Sequence, residues 1–471
     1  MRKYTIALTG LLVAAAACAD NTVVTPENAP TTDALTGALT TAGVKTLAVG
    51  VLAQDRAVVS AVGYFLFPSI YSRDAYRIDS NEPRFVTETL GGTPDPGSFA
   101  AGGSAYTGAF TAIRAATSLL TALPGAPTSQ ITTAQNQTTA GLIQTFEALA
   151  YYRVLETRDT VGVPIQNLDP AVVSPLSCKS VVLNTIAALL DSANASLASA
   201  GAAGALPFTP PTGFTAYGRD YSKASNLILL NRGLKGKVDV YRGLQHTNPV
   251  SGAFTLAITE LTQALGGAAP GAVSPSTFQN GAYVTFVAGG TENTPNPFVD
   301  AKIAVNPKAS AALQPGDTRA SKIIARTTLA GNGLTSNFTF VGASTANTAN
   351  LTRPFAILRD EELVLLRAQA YFEAGQFANG AADLNSVRTS YGLAAIPVPG
   401  DITTARTALL YEKRFSLFFE GPQRLVDLRA YGLLKAGLVT PELPGDPFTT
   451  AEPIPKAEAD ARGNNLTPVC Q

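Results

Sequence analysis

A mainly α-helical chain, built from paired antiparallel helices and broken by irregular loop insertions, is what three observations predict. Apolar residues recur at helical spacing in one segment after another along the 471 residues. Gly, Pro, Ala, Ser and Thr crowd the stretches between these segments, at 91–103, 201–218 and, longest, 266–350. Strand-like runs never alternate with helical ones in the rhythm that builds a parallel sheet.

The chain opens with Arg2 and Lys3, an apolar run over 6–17 interrupted by Thr9 and Gly10, and then Cys18. A basic segment, an apolar core too short to cross a bilayer and small residues at its end read as a secretory signal over 1–17. Ala15, Ala16 and Ala17 suit a signal peptidase. Cys18 directly after them resembles the lipobox cysteine of bacterial lipoproteins, although Ala15 stands where that motif usually has Leu. Two outcomes are open. Acylation of Cys18 with more than one chain anchors stably where a single chain holds only marginally; ordinary cleavage after an Ala-x-Ala site leaves a secreted protein. Residues 18–32, rich in Thr, Asn and Pro, read as a flexible tether from the lipid to the body at 33–471. No later apolar run approaches the ~20 residues of a membrane helix.

Within the body, helical stripes run over 40–63 (Val44, Leu47, Val51, Val58, Val62), 106–123 (Phe110, Ile113, Leu119, Leu120) and 140–155 (Leu142, Phe146, Leu149, Tyr152). They continue over 181–197 (Val182, Ile186, Leu189, Leu190) and 224–241. One pair is more specific. From Val364 the chain reads V-L-L-R-A-Q-A-Y-F-E-A-G-Q-F-A-N-G-A-A-D-L-N-S-V, and Val364, Ala368, Tyr371, Gly375, Phe377, Gly380, Leu384 and Val387 fall at tetratricopeptide spacing. Ala368 and Gly380 let two helices approach, Tyr371 and Phe377 wedge between them, and Gly375 permits the turn. One such hairpin leaves its outer faces uncovered, so neighbours are expected.

Cys178 and Cys470 are the remaining cysteines. In an exported chain they read as one possible disulfide, with two free thiols the alternative. Basic and acidic residues balance at 34 each and only 14% of residues are charged, so the electrostatic footprint of a nucleic-acid binder is missing. The single histidine, His246, follows a helix ending near Gly243; it rules out a histidine metal cluster and reads as a turn residue. No G-x-S-x-G elbow accompanies it. The Gly236-Lys237 pair fails as a phosphate loop, with Val238 in place of Ser or Thr and Asn231 in place of the first Gly. Glu361, Glu362, Asp191 and Glu260 sit in helical patterns and read as solvated faces. No catalytic residue, metal ligand or cofactor is expected.

Three places resemble the SusD/RagB-like outer-membrane nutrient-binding lipoproteins. Residues 146–165, F-E-A-L-A-Y-Y-R-V-L-E-T-R-D-T-V-G-V-P-I, look like that family's helix with paired aromatics running into a Gly-x-Val-Pro turn. Asp317 and Arg319, then Arg359-Asp360-Glu361-Glu362 leading into the tetratricopeptide pair, follow its central order. Residues 412–432, E-K-R-F-S-L-F-F-E-G-P-Q-R-L-V-D-L-R-A-Y-G, resemble its C-terminal signature, with Ser416 and Leu425 departing from it. Arg414, Glu420, Arg424, Asp427 and Arg429 of that signature read as a structural network of ion pairs.

The resemblance implies a lipid-anchored protein at the cell exterior. It would capture a glycan or a peptide and deliver it to a SusC-like TonB-dependent transporter barrel, without catalysis. Sugar capture needs aromatic platforms, and the chain has no tryptophan. The first candidate is therefore Tyr71, Arg73, Asp74, Tyr76, Arg77 and Asp79, within an apparent loop over 64–84; the second is Phe278, Tyr283 and Phe286 in the long insertion. Two rival classes are a secreted carboxylate-dependent glycoside hydrolase and a tetratricopeptide outer-membrane assembly scaffold.

Overall fold

The computed structural model describes residues 39–166 and 172–470. The expected signal, Cys18 and the tether over 18–32 lie outside the described residues. The helices begin with α1 (Thr41–Val59), α2 (Val62–Tyr71), α3 (Gly103–Ala122), α4 (Thr133–Arg158) and α5 (Lys179–Ala200). α6 (Ala224–Gly243), α7 (Ala253–Ala264), α8 (Asp360–Glu373), α9 (Phe377–Ser390), α10 (Ile402–Ser416) and α11 (Gln423–Ala430) follow, and shorter helical pieces stand at Arg84–Thr87, Pro307–Ala311 and Lys456–Ala461. Each long helix packs on the next in a continuous row, α3 on α1, then α4, α5, α6, α7 and α8, with α9 and α10 both against α8. Stacked pairs of this kind bury faces that no single hairpin covers.

Local chemistry sets the ends. Thr132 caps α4 through a capping box with Gln135, starting the helix a full two turns before its apolar stripe. The α8/α9 hairpin forms as its spacing predicts: Gly375 turns at φ +75°, and a methyl group on Gly380 would stand 2.5 Å from the Phe372 ring. Two expectations are corrected. The stretch 40–63 is not one helix, because the Ser60 N–H and hydroxyl both bond the Arg56 carbonyl (2.9 and 2.7 Å) and Ala61 is extended. The supposed loop after it begins as α2, whose residues from Gly63 to Tyr71 are all buried. An apolar surface all round marks a core helix, and Pro68 within it mimics a breaker.

By length and mean hydropathy two segments, Thr41–Tyr71 and Lys179–Ala200, do qualify as membrane spans, contrary to the expectation of none. Each instead turns one face into the core, α1 burying Val44, Ala48, Val51 and Leu52 and α5 burying Val182, Leu183, Ile186 and Leu190.

The insertions carry short antiparallel strand pairs. β1 (Ala75–Arg77) pairs with β5 (Ile303–Val305), β2 (Val163–Pro164) with β3 (Leu176–Ser177) and β4 (Gly281–Val284) with β8 (Phe355–Arg359). β6 (Ile323–Gly331) and β7 (Leu334–Phe340) form a hairpin. The stretch 266–350 is thus more ordered than its composition predicts.

Cys178 and Cys470 form a disulfide with their Cα atoms 4.9 Å apart. The same junction is zipped by Cys178 N–H to Val469 O (2.8 Å) and Val469 N–H to Leu176 O (2.7 Å). The bridge closes 292 residues of chain, for which the chain-entropy model gives an upper stabilisation of about 6 kcal/mol. Cys178→Ser is expected to melt several degrees below the parent, and the parent is expected to fall to the same temperature under reductant. Equal melting would contradict this.

Ion pairs fill the space between the helix row and the C-terminal third. Lys237 of the Gly-Lys pair is buried between Glu156 (3.3 Å) and Glu362 (3.1 Å), and Arg319 between Asp317 (2.8 Å) and Glu412 (2.7 Å). Glu361 and Glu362, expected on a solvated face, are buried here because each meets a cation. Asp191 and Glu260 both reach Arg232 (3.0 and 3.2 Å). The C-terminal signature behaves as read: Arg414 pairs with Asp74 (2.7 Å), Asp427 with Lys413 (2.8 Å), and Arg429 bonds the Glu156 and Thr450 carbonyls. His246 is exposed beyond the end of α6.

Glu452, buried and paired with Arg158, gives a pH test. Burial, only partly countered by Arg158, pushes its carboxyl up to about 7 from the usual 4.5. With the folded value above the unfolded one, this group's contribution to stability is complete below about pH 4.5. It is lost as pH rises through about 7. In Glu452→Gln the decline of the urea midpoint across that window is expected to flatten; an unchanged slope would contradict the assignment.

Candidate functional site

The six side chains of the first candidate are buried or half-buried and face separate partners instead of a common open surface. Tyr71 ends α2 fully buried. Arg73 holds Asp446 through two bonds (2.8 and 2.7 Å), and Asp74 takes Arg414 and Arg424. The Tyr76 hydroxyl donates to Glu442 (2.6 Å). Arg77 pairs with Asp79 (3.1 Å) and Asp300 (3.2 Å), and Asp79 also receives Lys302 (2.7 Å). Each charge is met by a residue far along the chain: Arg73 and Tyr76 tie the start of β1 to the segment around 442–446, Asp74 ties it to α10 and α11, and Arg77 and Asp79 tie its end to residues 300–302. The described geometry gives it a structural task.

An open cavity of about 370 Å³ lies instead between the insertions, lined by residues that include Tyr217, Tyr283, Phe298, Phe340, Phe355 and Phe419. Tyr217 and Tyr283 stand with ring centroids 4.3 Å apart and planes inclined by 35°. Tyr283 is carried by β4, where the register against β8 shifts between Ala282 and Tyr283; a bulge of this kind re-aims a side chain. Gly281 N–H donates to the Tyr217 carbonyl at 3.0 Å, fixing Tyr217 beside β4. Gly213 lies so close to the Tyr283 carbonyl that any side chain there would collide with it. Phe340 stacks on Phe419 (4.0 Å, 14°), and Phe65 lies behind Phe298 and Phe355, both at 4.4 Å.

Polar groups border these rings. Glu420 accepts two bonds from Arg359 (3.0 and 3.1 Å) and has Lys322 at 3.6 Å. Desolvation draws the Lys322 ammonium below the ordinary lysine value despite that carboxylate. Burial raises the Tyr283 phenol, so it stays protonated; it donates to the Gln279 carbonyl at 2.7 Å. Arg353 and Gln279 complete the polar part of the lining, both exposed. Rigid aromatic faces beside hydrogen-bonding groups suit a ligand with apolar C–H surfaces and hydroxyls.

A second cavity of about 330 Å³ shares Tyr283 and adds Lys45, Arg56, Phe146 and Phe214. A third, of about 370 Å³, is lined by residues that include Tyr106, Phe110, Arg114 and Arg462. Of the second sequence candidate, Tyr283 lines the first cavity, whereas Phe278 and Phe286 are buried elsewhere in the core. Tyr217 and Arg353 escaped the sequence reading because both lie in insertions without periodicity. Their one signal is an aromatic or basic residue within a Gly/Pro-rich turn.

No protein-family model matches the sequence, and no curated protein is significantly similar to it. Solved structures are similar in fold. A SusD superfamily protein from Bacteroides thetaiotaomicron VPI-5482 is 16% identical, with a TM-score of 0.66 over 90% of this chain and 99% of its own. NanU from B. fragilis is 15% identical, with a TM-score of 0.65 over 93% and 98%. A SusD-like carbohydrate binding protein from Bacteroides vulgatus ATCC 8482 is 14% identical, with a TM-score of 0.56 over 83% of both chains.

Proposed function

From a chain that has the SusD superfamily fold, we propose a lipid-anchored outer-membrane protein that captures an oligosaccharide at the cell exterior and delivers it to a SusC-like TonB-dependent transporter. The observation that carries the reading is the aromatic cavity: Tyr217 and Tyr283 offer adjoining ring faces in a recess with polar groups at its edge. The fold's relatives support it, one of them described as carbohydrate binding. Cleavage after Ala17, acylation of Cys18 and the tether over 18–32 would set the body at the membrane surface. A peptide ligand remains the alternative within the same role.

Glycoside hydrolysis takes two carboxyl groups flanking one bond. The lining of the aromatic cavity has one, Glu420, and it is engaged by Arg359. The capture reading therefore expects retention without turnover. In affinity electrophoresis through gels containing soluble polysaccharides, the protein is expected to be retarded by at least one of them while releasing no reducing sugar. Free migration through every gel, or hydrolysis lost in single carboxylate variants, would overturn it. Cys18→Ser is expected to move the protein from the membrane fraction to the medium or periplasm.

A further inference from the structure

One arginine side chain at the aromatic cavity has no partner among the described residues. Nearly every described arginine is tied to a carboxylate or a carbonyl, even those with little exposure, such as Arg153 to Asp55 and Arg367 to Asp383. Arg326 is held by the Ala301 and Ile303 carbonyls. The Arg353 guanidinium, among the described residues, makes neither a hydrogen bond nor an ion pair, and its side chain passes close over Gly342, where a methyl group would stand 3.2 Å from its Nε. Arg353 follows the turn at Thr348–Thr352, and its N–H bonds the Asn350 carbonyl at 3.1 Å. Pro354 after it restricts its backbone to extended conformations.

Charge around the cavity leaves one cation over. Its lining has Lys322, Arg353 and Arg359 against the single carboxylate of Glu420. Glu361 behind the wall neutralises Arg359, and Glu420 stands with Lys322. The positive charge of Arg353 remains, presented to a recess whose other walls are largely aromatic. A guanidinium fork matches one carboxylate through two parallel bonds, and the adjoining Tyr217 and Tyr283 faces match a sugar ring.

Resting on the glycan reading above, we infer that this cavity selects acidic saccharides, with Arg353 receiving the carboxylate of a uronic or other sugar acid. Arg353 is then the residue that sets specificity, and the tyrosine pair supplies affinity common to acidic and neutral sugars.

The test is an array of oligosaccharides spanning uronate-containing, other carboxylate-bearing, sulfated and neutral members, followed by calorimetry on the best binders. The strongest binders are expected to bear carboxylates. Arg353→Ala is expected to weaken them by about tenfold or more, as for a lost hydrogen bond to a charged group, and Arg353→Lys by less. Neutral binders are expected to be unaffected, and esterifying the ligand's carboxylates should reproduce the loss. Arg353 is exposed, so its variants are expected to melt like the parent. Preference for neutral or sulfated members, or acidic binding unchanged in Arg353→Ala, overturns this inference and leaves glycan capture standing. Absence of binding to every saccharide overturns both.

Discussion

Asp383→Ala is expected to lower the unfolding free energy by about 3–5 kcal/mol, the cost of leaving a buried charge without its partner. Asp383 and Arg367 are both fully buried and joined through two bonds of 2.7 and 2.9 Å. Asp383 also accepts from the Gly271 N–H at 2.8 Å, while Arg367 reaches the carbonyls of Ala268 and Ala269. One ion pair thus ties the α8/α9 hairpin to the loop after α7. Removing only the acid strands the guanidinium. The double replacement Arg367→Met with Asp383→Leu is expected to recover much of the loss, because it removes both charges. The exposed pair Lys456–Asp460 provides the contrast, since breaking it is expected to leave the urea midpoint unchanged. A midpoint for Asp383→Ala equal to that of the parent would contradict the assignment.

The largest expected effect on binding comes from Tyr217. Its ring is half-buried and lies beside Tyr283, whose fuller burial makes Tyr283 harder to change without cost to folding. Central aromatic residues of binding sites commonly contribute about 2 kcal/mol or more on truncation, which is a loss of about thirtyfold. Tyr217→Ala is expected to weaken oligosaccharide binding by that order with unchanged melting. Tyr217→Phe keeps the ring and is expected to stay within about threefold. Calorimetry with the best-retained oligosaccharide measures both. Equal affinity for Tyr217→Ala and the parent would remove this cavity from consideration as the capture site.

Much of the fold was legible because its signals are local. Ala368, Gly375 and Gly380 announce a close helical hairpin at a spacing few other structures need, and the structure builds it. α7 was missed: Ala253–Ala264 does carry an apolar stripe, but it is short, rich in Thr and bounded by glycines. α2 was misread because a helix buried all round has no polar face to reveal its period. The first binding candidate illustrates a different limit. Arg73 and Asp446 are 373 residues apart, so a charged and aromatic run that looks free in sequence is satisfied by residues no local pattern can connect to it. The cavity has the converse problem. Tyr217, Tyr283, Arg353 and Phe419 come from four separate stretches, and tertiary features such as the bulge in β4 and the close passage at Gly213, which no local pattern announces, set Tyr283 among them.

Crystals of the protein grown with its best-retained oligosaccharide would show whether the aromatic cavity holds the ligand. A sugar ring is expected to lie against Tyr217 and Tyr283, with the saccharide extending toward Arg353. A saccharide seated in the recess beside Tyr106 and Arg114, or none held at millimolar concentration, would contradict it.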